Sequence, residues 1–384
     1  MTRKPHVRAR SARNLRAGDW RKAARGEWFL AVSLATVLVF ALAGESTYDA
    51  LANPLWLGII FAWLFLMVMG SALSVVRHAD SVAEILGEPY GTLILTLAVT
   101  AIEVMSITAV MLHGDNNPSL VRDTLFAIVM IVLGGMVGGS LLMGGWRNRE
   151  QHYNLQGANA YLSVIIPLAV LTLSLPNFTV TTPGPTLSFA QQVFLVTMSV
   201  GLYAAFLAIQ TGRHRGYFTL EEESEVHEHG KPATRSLRWH GLLLIVYMAP
   251  VAFLAEQLAH PIDYFIETLK APDALGGVII AMLVATPEAI AATRAAIANT
   301  LQRSINIFLG SVLATIGLTV PVMLAISHFT RREVYLGLDG ANDVLLLLTL
   351  AVSVVTFASG RTNILQGAVH VVLFAAFVML IFQA

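Results

Sequence analysis

The 384-residue chain has no cysteine, which excludes disulfides, thiolate ligands and a thiol nucleophile, and leaves only oxygen or imidazole for any metal site. Charge is almost as scarce. Only 12% of residues are Asp, Glu, Lys or Arg, against roughly a quarter in soluble domains, while 56% are apolar; a soluble enzyme is excluded. Lys plus Arg and Asp plus Glu are equal at 24 each, so no net charge points to a nucleic-acid partner or to a strongly acidic or basic surface. Also absent are the alternating segments of roughly ten residues that build a membrane β-barrel. No His-Glu-x-x-His, Gly-x-Ser-x-Gly or paired membrane aspartates occur, so an intramembrane enzyme has no constellation to work with.

What the chain has instead is long apolar runs rich in Leu, Val, Ala, Ile and Met, recurring from residue 28 to the end. They read as an all-α integral membrane protein with about eleven transmembrane helices. The predicted spans are 28–44, 54–76, 91–113, 121–144, 160–176, 188–210, 237–257, 276–298, 304–328, 343–359 and 365–384. Residues 1–26 hold nine of the 24 basic residues without the apolar core of a signal peptide, and read as a retained cytoplasmic tail. From that start Arg77, Arg147, Arg149, Arg213, Arg215, Lys231, Arg235, Arg238 and Arg361 fall on the cytoplasmic side. Arg122, Lys270, Arg303, Arg331 and Arg332 are assigned to the other, an asymmetry that fits an odd number of spans. The polar stretch 211–236 reads as a cytoplasmic linker. Its EEESEVHEHG run, 221–230, is expected to be a solvated acidic loop, with a regulatory cation site as the other reading.

Two internal likenesses stand in the same order in each part. GTLILTLAVTAIEV (91–104) and GGVIIAMLVATPEA (276–289) each place a glutamate twelve positions after a glycine. YNLQGANAYL (153–162) and TNILQGAVHVVL (362–373) each carry Asn, then Leu-Gln-Gly-Ala. They divide the chain into a leading helix and connection (27–53), a first five-helix repeat (54–210), the linker (211–236) and a second five-helix repeat (237–384). Five is odd, so the two repeats are expected to lie inverted, with the substrate site between them near the midplane.

Glu103 and Glu288 are the candidate functional residues. A carboxylate at mid-membrane costs several kcal/mol unless it faces a cavity, finds a partner or takes a proton, and packing alone has no need to duplicate such a group. Two together make a hard oxygen site suited to Ca2+, Na+ or K+. Desolvation and mutual repulsion both favour the protonated carboxylate, so metal and protons compete for the same oxygens, and loading one expels the other. Thr96, Thr100 and Glu103 share a helix face, with Ser106 one turn on. Thr286 and Pro287 precede Glu288, and the proline releases a backbone carbonyl. Ser304, Ser311, Thr315 and Thr319 form a further stripe, with Asn306 nearby. Thr100, Ser106, Thr286, Asn306, Ser311 and Thr315 are therefore candidate ligands beside the two glutamates. Arg294 is expected to snorkel to the interface, the alternative being an approach to the glutamates, and His113 to sit at the aqueous boundary.

With these residues in view the chain resembles the ChaA-type calcium/sodium:proton antiporters of the calcium/cation antiporter superfamily, from about residue 27 to 384. The resemblance is carried by LGEPYGTLILTLAVTAIEV, VRDTLFAIVMIVLGGMVGGSLLMGG, YNLQGANAYL, ATPEAIAATRAAIANTLQRSINIFLGSVLATIGLTVPV and SGRTNILQGAVHVVLFAA. It implies one leading helix plus two inverted five-helix repeats in the bacterial inner membrane, N-terminus cytoplasmic, expelling cations in exchange for protons without a cofactor. Glu103 and Glu288 match the superfamily's essential acidic residues. The asparagine usual three positions earlier does not carry over, since Thr100 and Ala285 stand there, and only the later repeat keeps Leu309-Gly310-Ser311. Ion preference among Ca2+, Na+ and K+ and the oligomeric state are left open. A cation channel using the same glutamates is the alternative, although no filter-like motif is present.

Overall fold

The computed structural model describes residues 27–87, 90–113, 117–219 and 236–383; the basic tail and the 221–230 run lie outside them. Among the described residues eleven apolar helices follow one another: α1 (Trp28–Ala43), α2 (Pro54–Leu86), α3 (Tyr90–Leu112), α4 (Leu120–Asn148), α5 (Leu155–Phe178), α6 (Phe189–Thr211), α7 (Leu237–Thr268), α8 (Ala274–Ile297), α9 (Leu301–Thr330), α10 (Gly340–Thr356) and α11 (Ile364–Ile381). Nine are long and apolar enough to cross a bilayer, while α1 and α10 are shorter. Caps mark where several begin. Asn53, with Pro54 at the first helical position, opens α2; Ser188 opens α6 with a capping box; and Asp339 opens α10.

Two helices outrun their apolar stretches. α2 was expected to stop at 76 but continues to Leu86, and α7 was expected to stop at 257 but continues to Thr268. The α2 extension is held by polar contacts that hydropathy does not register. Glu27 accepts from Arg77 Nη2 at 2.5 Å and from Tyr247 Oη at 3.0 Å. The Nδ1 atoms of His78 and His240 stand 3.0 Å apart, with His78 buried. At the far end Tyr48 donates to Gln257 Oε1 at 2.9 Å and stacks on His260. Helices α1, α2 and α7 are thus tied to one another at both ends.

Contacts between connections fix the two faces. On one, Gln151–His152 (β1) pairs antiparallel with Arg361–Thr362 (β2). Gln151 Nε2 donates to the Ala296 carbonyl at 2.8 Å, and Asn154 N to Gln302 Oε1 at 2.7 Å. On the other face, Tyr335 N bonds the Pro118 carbonyl and Leu338 N the Leu173 carbonyl, each at 2.8 Å. Arg303 is next to Gln302, on the first face with Arg147, Arg149 and Arg361. Its assignment to the opposite side is therefore corrected, and the segregation of basic residues becomes sharper. The first face is called the basic face below.

The same contacts overturn one of the two repeat likenesses. The Leu-Gln-Gly-Ala segments lie on the basic face, in the first turns of α5 and α11, whereas equivalent points of inverted repeats fall on opposite faces. They look alike because each starts a helix in the same way. Asn154 caps α5 through Gln156 N and Asn363 caps α11 through Leu365 N, both at 3.0 Å. Each glycine then lets a neighbour's backbone approach. A Cβ on Gly157 would strike the Tyr217 carbonyl oxygen, and one on Gly367 would come within 2.7 Å of Leu142 N. The glycine stripe of α4 has the same use, since a Cβ on Gly138 would lie 2.8 Å from Val371 N of α11.

At the end of α8 far from Glu288, α8 also comes close to the backbone of α4. A Cβ at Gly277 would meet Thr124 N at 2.6 Å and the Asp123 carbonyl carbon at 2.8 Å, both backbone, whereas one at Gly276 would meet only side-chain atoms, those of Ile262, Ile266 and Leu120, at 3.3 Å or more. Gly277→Ala should therefore cost about 1–3 kcal/mol as overpacking and lower the thermal unfolding midpoint in detergent, with Gly276→Ala distinctly milder. Equal midpoints for the two variants would contradict the packing described.

Candidate ion-binding site

Glu103 stands past the middle of α3, and Glu288 beyond the middle of α8. Both line one cavity of about 290 Å3, together with Thr100, Ser311, Thr315, Asn306 and Pro287. Glu103 is 2% exposed, and its Oε2 accepts from Thr315 Oγ1 at 3.0 Å. Thr315 opens a π-helical segment of α9, Thr315–Thr319, a widened turn of the kind that interrupts regular backbone bonding. A matching π-helical segment, Met130–Met136, interrupts α4, the helix that follows Glu103 in the chain. Pro287 sits inside α8 without ending it; with no N–H it leaves the carbonyl one turn back without its usual donor.

The polar floor is under-satisfied. Glu103 Oε1, Glu288 Oε2 and Thr100 Oγ1 are buried without a hydrogen-bond partner, a costly condition for groups whose partners have been removed from water. Two carboxylates with hydroxyls from Thr100, Ser311 and Thr315 form an all-oxygen donor set, which suits a hard cation and gives a thiophilic one nothing to prefer. Each carboxylate can also take a proton in its place.

The cavity is one-sided. From the glutamates its wall passes Thr96, Tyr161, Tyr203, Gln210, Asn306, Arg303 and Asp80, all on the half of their helices nearer the basic face. No described residue beyond Glu103 along α3, before Pro287 along α8 or beyond Thr315 along α9 lines it. There Ile107, Val110, Ile280, Val284, Ile316 and Val320 are buried within the apolar core.

Among the residues expected at the site, the structure brings together Glu103, Glu288, Thr100, Ser311 and Thr315. Asn306 lines the wall with its amide engaged, accepting from Gln302 at 2.9 Å and donating to the Phe218 carbonyl at 2.8 Å. Two expectations fail. Thr286 bonds back to the Met282 carbonyl of its own helix and is off the wall, because its position in α8 points past the cavity that Pro287 and Glu288 face. Ser106 is 1% exposed and off the wall as well; it lies one turn beyond Glu103, on the sealed side. Ser304 donates to the Ala292 carbonyl, holding α9 to α8. Arg294 is exposed and away from the glutamates, and His113 sits at the end of α3 opposite the basic face, 3.8 Å from Asp263. Asp80 and Arg303 were missed. One lies in the α2 extension beyond the apolar run, and the other was assigned to the wrong face.

Comparison with known proteins gives the family and the fold. Residues 56–212 and 239–383 match the family described as sodium/calcium exchanger protein. The sodium-potassium/proton antiporter ChaA of Escherichia coli (strain K12) is 41% identical over 319 residues, 82% of this chain and 86% of that protein. The Ca(2+)/H(+) antiporter ChaA of Bacillus subtilis (strain 168) is 23% identical over 338 residues, 84% of this chain and 90% of its own. Among solved structures, native YfkE superposes with a TM-score of 0.71 at 18% identity, over 93% of this chain and 100% of that one. The H+/Ca2+ exchanger CAX gives 0.62 at 13%, over 92% and 88%; these two likenesses concern the fold. By sequence pattern over most of its length, the chain belongs to the sodium/calcium exchanger protein family and is a secondary transporter rather than an enzyme.

Proposed function

We propose that the protein exchanges a cation for protons across the bacterial inner membrane by alternating access, with Glu103 and Glu288 holding cation or protons in turn. The observation that carries this is the pair of glutamates from α3 and α8 on the floor of one cavity whose described lining lies on the basic-face side of them. A channel needs a continuous path, and the apolar seal beyond Glu103 favours a carrier. Basic residues accumulate on the face toward which the cavity extends, which supports reading it as the cytoplasmic one. The family match falls once on each half, and together with the glutamate likeness this supports two five-helix repeats, α2–α6 and α7–α11, of inverted orientation.

Na+, K+ and Ca2+ are the candidate substrates. The Escherichia coli relative is named for sodium and potassium and the Bacillus subtilis relative for calcium. Two protons balance one Ca2+ on two carboxylates, whereas a monovalent ion leaves one carboxylate to be neutralised otherwise. The deciding experiment uses purified protein in proteoliposomes with an internal pH dye, adding each cation in turn. A cation that drives proton movement at a fixed ratio and with saturation supports exchange. Proton movement with none of them, or cation flux uncoupled from protons, overturns the proposal. Thr315→Val removes the donor to Glu103 while keeping the shape, and should raise the KM for the cation about tenfold with maximal rate little changed, read in the same assay.

A further inference from the structure

Among the described residues, four charged side chains line the cavity. Glu103 and Glu288 form its floor; the other two, Asp80 of α2 and Arg303 of α9, stand at its mouth. Both are exposed. Among the described residues, Arg303 as a cation and Glu84 as a second anion are near enough to act electrostatically on Asp80. Helix packing does not require Arg303 to line this wall: its neighbours Gln302 and Ser304 are the buried residues that bond to Asn154 and Ala292. A fixed positive charge at the mouth of a cation pathway works against every ion that has to pass it, so its presence there calls for a use.

Resting on the exchange reading above, we infer that Asp80 and Arg303 form a valence filter at the cytoplasmic mouth, in which Arg303 sets the preference for monovalent over divalent cations. The work of bringing an ion through a local potential is proportional to its charge. Whatever factor Arg303 imposes on a monovalent cation, it imposes the square of that factor on a divalent one. A guanidinium at the rim of a hydrated cavity repels a monovalent ion by about threefold in local concentration, hence a divalent ion by about tenfold. Asp80 opposes this with the same rule and the opposite sign. The floor supplies the ligands, and the mouth biases which charge reaches them.

The test measures KM and maximal rate for Na+, K+ and Ca2+ presented at the cytoplasmic face of oriented vesicles, for wild type, Arg303→Gln and Asp80→Asn. Arg303→Gln is expected to lower KM about threefold for a monovalent ion and about tenfold for Ca2+, with unchanged maximal rate; Asp80→Asn is expected to raise both in the same proportion. Raising ionic strength should shrink both effects together, and presentation from the other face should abolish them. A merely structural role for Arg303 would change maximal rate or protein yield without that two-to-one relation of logarithms. Equal factors for monovalent and divalent ions, or an unchanged KM, would sink the filter while wild-type transport left the exchange reading standing. If wild type moved no cation, the exchange reading itself would fail. Should only one valence class be carried, competition by the other against it supplies the second number. Arg303→Lys, which keeps the charge and alters the shape, should restore wild-type KM values; its failure to do so would also overturn the proposal.

Discussion

Glu103→Gln and Glu288→Gln should each reduce cation-driven proton movement in proteoliposomes by at least about 100-fold, with the folded protein recovered in normal yield. Glutamine keeps the size and most of the hydrogen-bonding capacity of glutamate but neither loses a proton nor balances a cation. One remaining carboxylate cannot neutralise a divalent ion in a site removed from water, where an unpaired charge costs several kcal/mol. For a monovalent ion the remaining carboxylate balances the charge, but no longer with both sets of ligands. Stability should not fall, since glutamine is nearly isosteric with glutamate and buries no charge. The unfolding midpoint and the transport rate must therefore be read on the same sample. Full cation-driven proton release by either variant would show that its glutamate had been misassigned.

A comparably large effect is expected from pH. If cation and protons occupy the same oxygens, cation binding expels protons, and the number expelled sets how apparent affinity changes with pH. The sign follows directly. Acid loads the empty carboxylates with protons and raises KM for the cation; alkali empties them and lowers it, until the free site is fully ionised and KM becomes flat. Over the range in which the free site is protonated, KM should fall about tenfold per pH unit if one proton leaves and about 100-fold if two leave. Initial rates against cation concentration at a series of matched internal and external pH values give the slope. A slope of zero throughout would mean that protons bind elsewhere.

The membrane class, the eleven helices and the glutamate pair were legible in the sequence because each is written as a contrast between apolar and polar residues. Where polar contacts carry the structure, that signal fails. Arg77 and His78 look like the end of a span, yet Glu27 ahead of α1, itself bonded by Tyr247, pairs with Arg77, and His240 of α7 pairs with His78, while α2 runs on to Leu86. Asp80 was lost to view for the same reason. The Leu-Gln-Gly-Ala likeness misled because capping asparagines and contact glycines recur wherever helices start against a neighbour. Thr286 was legible as a hydroxyl beside Glu288 but not as one turned back on its own helix; adjacency in sequence places successive helical side chains on different faces.

The polar ties described for α1, α2 and α7 have a mechanical consequence. Those three helices are fastened together near both membrane faces, while the β1–β2 pair and the bonds of Gln151 and Asn154 fasten the basic-face connections before α5, α9 and α11 to one another. Asp80 belongs to the first group and Arg303 is held with the second, so the mouth of the cavity lies on the seam between two separately laced bodies. The span from residue 80 to residue 303 is a natural ruler for that seam, and a pair of spectroscopic labels beside those two positions would report the relative displacement of the two bodies as a single distance.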